Sequence, residues 1–210
     1  MAGTIIAVAQ QKGGAGKTTL AIHLGVALAG MGRRVALIDI DPQQSLTAWH
    51  AIRESRTDDP VKIEQRQVSG WRTGAEVNRL RRDFDFVLID SPPHGETDTK
   101  AAIRAADRVL MPIQPGPMDY WAAKQTVTTA ERERRDFLLV LNRVPARGRL
   151  ADTIRGMMRA DGLKAAKATL GNRQHFASAI LEGRGVTEAA PRSAAAAEIN
   201  ALAKEIAKHA

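Results

Sequence analysis

The sequence predicts an α/β fold: a doubly wound, mostly parallel sheet with helices on both faces. Three observations carry this. Short β-type apolar runs alternate with longer segments of helical period through the first two-thirds of the chain. The run "FVLI" (86–89) is apolar without interruption, as suits a strand buried on both faces. The glycine-rich turn "GGAGKTT" (13–19) falls between a strand-like run and a helix-like one, the place where such sheets bind phosphate.

Taken in order, residues 4–9 read as the first strand and 18–31 as a helix that Gly30 and Gly32 stop. Residues 34–38 are the next strand, followed by a loop at 39–43 and a helix at 45–53. A short strand is expected at 61–65, a helix at 74–82 and a strand at 84–89. The stretch "SPPHGETDTK" (91–100) reads as a loop because Pro92 and Pro93 oppose a helix, with a short helix at 99–105 behind it. A strand at 108–113, a turn at 115–117, a helix at 119–134 and a strand at 137–141 come next. The remainder is mainly helical, over about 150–160, 173–182 and 193–208, with a short strand expected near 165–169. No repeat or linker divides the 210 residues, so one domain is expected.

The chain has no cysteine, which excludes disulfides, thiolate metal sites and cysteine-ligated iron–sulfur clusters. No apolar run reaches membrane-spanning length and no signal-like segment opens the chain, so a cytoplasmic protein is expected. The net charge is +8, and residues 142–210 carry 12 basic against 6 acidic groups. Such a surface suits a polyanion, or is merely a solvated arginine-rich one.

The turn carries the chemistry. A glycine-rich loop opening a helix aims backbone N–H groups at one point, where phosphate oxygens fit. Gly13, Gly14 and Gly16 supply the permissive backbone around Ala15. Lys17 is placed to reach the β- and γ-phosphates, and Thr18 to offer its hydroxyl to Mg²⁺, with Thr19 beside it. The usual pattern Gly-x-x-x-x-Gly-Lys-Thr puts its first glycine where this chain has Gln11. A second lysine, Lys12, lies near the apex of the loop: either a solvated charge, or a charge delivered across a two-fold interface to a partner's nucleotide. Asp90 ends an apolar strand at the crevice and suits a magnesium ligand, direct or through water. Asp39 and Asp41 follow another strand, and carboxylates so close to a triphosphate imply a metal between them.

"QKGGAGKTT" resembles the deviant Walker A motif of the ParA/MinD ATPases, whose signature lysine falls at Lys12. "LIDIDPQQS" (37–45) is similar to their switch I, and "DFVLIDSPP" (85–93) to their Walker B and switch II. "VLMPIQPGPMD" (109–119) and "LVLNRV" (139–144) also recur in these proteins. The resemblance spans almost the whole chain and is greatest to small, ParF-like plasmid-partition ParA proteins without an N-terminal helix-turn-helix domain.

By this resemblance the protein would be a P-loop ATPase of the deviant Walker A type, binding ATP with Mg²⁺ through residues 13–19. It would form a sandwich homodimer on ATP and hydrolyse ATP slowly. Lys12 and Lys17 would act on the phosphates, and Asp41 would orient or activate the attacking water. Thr18 and Asp90 would hold the metal. Asp39 would support the metal shell or serve as a turn residue. Asn142, with Arg143, would read the adenine edge or cap a turn. The segment at Pro115 would close over the base or ribose or be a simple turn. The ATP-bound dimer would bind double-stranded DNA without sequence preference, through a patch to which Lys164, Lys167, Arg173, Arg184 and Arg192 contribute, Arg173 first. Arg147, Arg149 and Lys204 belong to the same candidate patch. A small ParB-like adaptor would stimulate hydrolysis, and the protein would be cytoplasmic and nucleoid-associated. A MinD-like membrane-binding tail is the alternative, disfavoured because Ile199, Leu202 and Ile206 form an apolar stripe suited to packing on the protein's own core. A metabolic P-loop enzyme is a third reading.

Overall fold

A computed structural model describes residues 2–58, 60–93 and 96–208. Six strands form one sheet: β1 (Thr4–Val8), β2 (Val35–Asp39), β3 (Glu64–Gln67), β4 (Phe86–Asp90), β5 (Arg108–Ile113) and β6 (Asp136–Leu141). Their order is β3-β2-β4-β1-β5-β6, and every pairing is parallel. The crossovers are helical: α1 (Lys17–Gly30), α2 (Ser45–Glu54), α3 (Thr73–Leu80), α4 (Glu96–Ala105) and α5 (Pro117–Arg132). After β6 come α6 (Leu150–Ala160), α7 (Gln174–Leu181), α8 (Val186–Ala189) and α9 (Ala194–Ala207).

The period-two alternation of each central strand sorts its side chains between two layers. Ile6, Val8, Leu37, Leu88, Leu110 and Val140 face α1, α2 and the C-terminal helices α7–α9. On the other face, Ile5, Ala36, Val87 and Ile89 meet α3 and α4, and Val109, Met111, Leu139 and Leu141 meet α5 and α6. Helix α1 is buried on nearly every side, because the sheet lies against one flank and α9 against another. The apolar stripe of α9 is fully used: Ile199, Leu202 and Ile206 are buried in that layer. Among the described residues, no helix is long and apolar enough to cross a membrane.

Among the differences from the sequence expectation, four stand out. The edge strand β3 spans 64–67, where 61–65 was expected, and it is the polar run "EQRQ". Pairing with the buried β2, from Ala36↔Glu64 to Asp39↔Gln67, sets its position, and its own composition does not. Helix α4 begins at Glu96, inside the expected loop, with Glu96 and Asp98 in its first turn where the helix dipole favours them. The part of that loop at 94–95 lies outside the described residues. The turn at 115–117 already contains the first residue of α5, since Pro117 is tolerated where no helical N–H is needed. No strand forms at 165–169; Ala165 and Gly171 make single parallel bridges to Leu139 and Val144.

Candidate functional site

The parallel register brings three strand ends together. Val8 pairs with Asp90 across β1 and β4, and Asp39 pairs with Asp90 across β2 and β4. The loop leaving β1 therefore begins beside two buried carboxylates. Gly14 (φ 76°) and Gly16 (φ 90°) take the left-handed conformation that turns this loop into α1, which a side chain would strain.

Three distant side chains hold the turn. Asn142, at the end of β6, donates from Nδ2 to the Ala15 carbonyl at 2.8 Å, while its Oδ1 accepts from the Arg143 N–H at 2.9 Å. A Cβ at Gly16 would stand 2.5 Å from Asn142 Nδ2. Gln114, leaving β5, donates to the Gly14 carbonyl at 3.0 Å. Thr126 of α5 donates to Gln10 Oε1 at 3.1 Å and accepts from the Gln11 N–H. Gln114, Thr126 and Gln10 escape sequence reasoning, because their partners are a hundred or more residues away and leave no local pattern.

Lys17 is buried, and burial depresses its pKa while Asp90 and Asp41 act to raise it. Asp90 is fully buried and both its carboxylate oxygens lack a hydrogen-bond partner among the described residues. Burial pushes its pKa up to about 8; the nearby Thr18 hydroxyl and Lys17 oppose this, and Asp39 and Asp41 reinforce it. A buried carboxylate without a donor is costly unless a cation completes it. The oxygen-rich surroundings of Asp90 and Thr18 fit a small hard cation. Among the described residues, no group of three or more acidic or histidine side chains that could hold a metal ion is present.

Asp39 is differently placed. Its Oδ1 accepts from the Asp41 N–H at 3.0 Å, and its Oδ2 accepts from the N–H and hydroxyl of Thr47 at 2.9 and 2.8 Å. These bonds tie the end of β2 to α2, so the geometry supports the turn-residue reading of Asp39. Asp41, bonded through Oδ1 to the Gln43 N–H at 2.9 Å, lies near Lys17 and Asp90. Pro115 is buried beneath the entry to α5. Lys12, partly exposed, makes a 2.8 Å ion pair with Asp119 in the first turn of α5.

The structure does not give the DNA candidates equal standing. Arg173 is held by Glu198 at 2.6 Å, Lys164 by Asp136 at 2.9 Å and Arg184 by Asp58 at 2.6 Å. Lys167 and Arg192 are exposed and have no ion-pair partner among the described residues.

A parallel sheet with a glycine turn feeding a central helix, flanked by a buried lysine and a strand-end carboxylate, defines a P-loop nucleotide-binding protein. Residues 6–186 match the family described as CobQ/CobB/MinD/ParA nucleotide binding domain, and the chain belongs to that family. It is 30% identical over 234 residues to the chromosome-partitioning ATPase Soj of Thermus thermophilus, covering 96% of this chain and 94% of that protein. It is 29% identical to the maintenance of carboxysome distribution protein A of Halothiobacillus neapolitanus, over 96% and 95% of the two chains. Among solved structures, the cell division ATPase MinD of Pyrococcus furiosus superposes with a TM-score of 0.82 at 22% identity, over 99% of this chain and 100% of that one. That likeness is one of fold.

Proposed function

We propose that this protein is an ATP-dependent dimerising switch that positions a cargo on DNA. The observation that carries the reading is the buried Asp90 carboxylate, which has the Thr18 hydroxyl and Lys17 nearby but no well-formed hydrogen bond among the described residues, under a glycine turn built for phosphates. Asp90 and the Thr18 hydroxyl would hold Mg²⁺, which when bound neutralises phosphate charge at this site. The turn at 13–19 grips the phosphates with backbone N–H groups, and Lys17 adds its charge from the buried side. Asp41 positions the attacking water. Lys12 leaves Asp119 and reaches the triphosphate of a second subunit, so hydrolysis requires the dimer. Hydrolysis is slow, because the lysine supplied in trans is present only in the dimer, and a small adaptor protein accelerates it. The relatives named as partitioning and distribution proteins support this class of work. The burial of Ile199, Leu202 and Ile206 leaves α9 no apolar face for a membrane. The protein then acts in the cytoplasm, on the nucleoid.

The test is binding to random-sequence duplex DNA with Mg²⁺ and either ATP or ADP. Tight binding with ATP and weak binding with ADP is expected. Equal binding in both, or ATP-dependent sedimentation with anionic vesicles in place of DNA, contradicts the proposal.

A further inference from the structure

Half of the chain's excess charge lies in the eighteen residues that follow Asn142. Between Arg143 and Ala160 there are five arginines and a single carboxylate, Asp152, giving +4 of the net +8. Arg143, Arg147, Arg149 and Arg159 are exposed. None of the four has an ion-pair partner among the described residues, in contrast to Arg173, Lys164 and Arg184. The fifth, Arg155, is half-buried and donates to the Ala166 carbonyl at 3.2 Å and to Thr169 Oγ1 at 2.6 Å, which fixes α6 against the segment behind it. The loop from Arg143 to Arg149 is punctuated by Pro145 and by Gly148 at φ 108°, and Val144 pins it to Leu170 and Asn172 through backbone bonds. It is thus a short, anchored, solvent-facing ribbon of unpaired guanidinium groups.

We infer that this β6–α6 segment, with Arg147 and Arg149 foremost, is the surface that contacts the phosphate backbone of duplex DNA. The inference rests on the proposed function and names the surface that performs it. Guanidinium groups recognise phosphate oxygens without reading bases, and unpaired ones need not give up a carboxylate first. A lipid headgroup offers the same chemistry, but membrane binding also needs apolar side chains to insert. Ile154 and Met158 of α6 are buried in the core, and Leu150 alone is exposed among the large apolar residues of the segment. The position of the segment also supplies a dependence on nucleotide. The Asn142 amide that donates to Ala15 in the phosphate turn accepts from the N–H of Arg143, the first residue of the ribbon. A shift of the turn on binding a triphosphate is therefore felt directly at the base of the ribbon.

The experiment compares R147Q/R149Q with K167Q/R192Q, which removes unpaired cations elsewhere. All four positions are exposed, so folding is not at issue. Affinity for a random-sequence duplex is measured with Mg²⁺ and ATP across a salt series, alongside affinity for a fluorescent ATP analogue. R147Q/R149Q is expected to weaken duplex binding roughly ten-fold or more, and to flatten the salt slope by roughly 0.9 for each phosphate no longer neutralised. Nucleotide affinity stays at the wild-type value, and K167Q/R192Q changes duplex binding much less. If the wild type binds DNA and R147Q/R149Q binds it as tightly, or the two variants weaken it equally, the placement is wrong and the ATP switch stands. If the wild type does not bind duplex with ATP, the proposed function falls together with the placement.

Discussion

The Lys12 ammonium lies 2.8 Å from Asp119 Oδ2, a pairing within one chain between the phosphate loop and the first turn of α5. Asp119 curls back over the start of its own helix, close enough that a Cβ at Gly116 would stand 3.2 Å from its Oδ2. The lysine assigned to a partner's triphosphate is thus parked at home. In the proposed dimer, this pair is exchanged for a contact with phosphate.

That exchange predicts opposite effects for the two partners. A partly exposed ion pair contributes at most about 1 kcal/mol. Asp119→Asn should therefore tighten ATP-dependent dimerisation by up to about five-fold, as read by sedimentation velocity. Lys12→Ala should keep nucleotide affinity and lose hydrolysis by a factor of roughly 10³ or more, the range of charges delivered in trans. A weaker dimer in Asp119→Asn would show that this carboxylate serves the interface directly.

Lys17 has a different task. It is buried against the turn, with Asp90 and Asp41 close enough to support its charge. Lys17→Ala should lose nucleotide affinity itself, measured by equilibrium titration. Equal reductions of affinity in Lys12→Ala and Lys17→Ala would contradict the division of labour between the two lysines.

Asn142 separates two readings of one side chain. Its amide grips Ala15, so Asn142→Ala should weaken ATP and GTP alike, by about five-fold for the removal of a hydrogen bond of about 1 kcal/mol. A loss confined to ATP would mean that it reads adenine. Gly16→Ala should be worse than either, because its Cβ would meet Asn142 Nδ2 at 2.5 Å and the residue sits at φ 90°. Left-handed backbone costs an ordinary residue roughly 1–2 kcal/mol before any clash.

How much of this is legible in the chain varies by residue. β1, β2 and β4 announce themselves, because strands buried on both faces must be apolar throughout. β3 does not, since an edge strand needs only a neighbour to pair with, and "EQRQ" has no apolar signal at all. In the site, Gly14, Gly16, Lys17 and Asp90 are readable from local spacing. Gln114, Thr126 and the Lys12–Asp119 pair are not, because each depends on which helix or strand end the sheet order brings beside the turn. Arg173 shows the reverse case: its charge is visible in sequence, while the Glu198 that pairs with it is 25 residues further on.

The packing of α1 against α7 and α8 makes stability depend on pH. His23 is buried, with Nε2 donating to the Phe176 carbonyl and Nδ1 accepting from the Val186 N–H, each at 3.0 Å. Burial pushes its pKa down to about 4 from 6.5. Between those values the unfolded chain binds a proton that the folded chain refuses. This contribution to stability is complete above pH 6.5 and is lost as pH falls to 4, by about 3 kcal/mol. Denaturant titrations from pH 7 to 4 should show that loss in the wild type, and His23→Gln should lack this component. An unchanged pH profile in His23→Gln would contradict the assignment.

The most direct measurement is the mass in solution, by light scattering, of Asp41→Ala with Mg²⁺ and ATP, alone and combined with Lys12→Ala. A trans-acting lysine predicts twice the chain mass for the single variant, which cannot discharge its ATP, and the chain mass for the double. A saturated Asp41→Ala complex that remains one chain, or a double variant that still pairs, would contradict it.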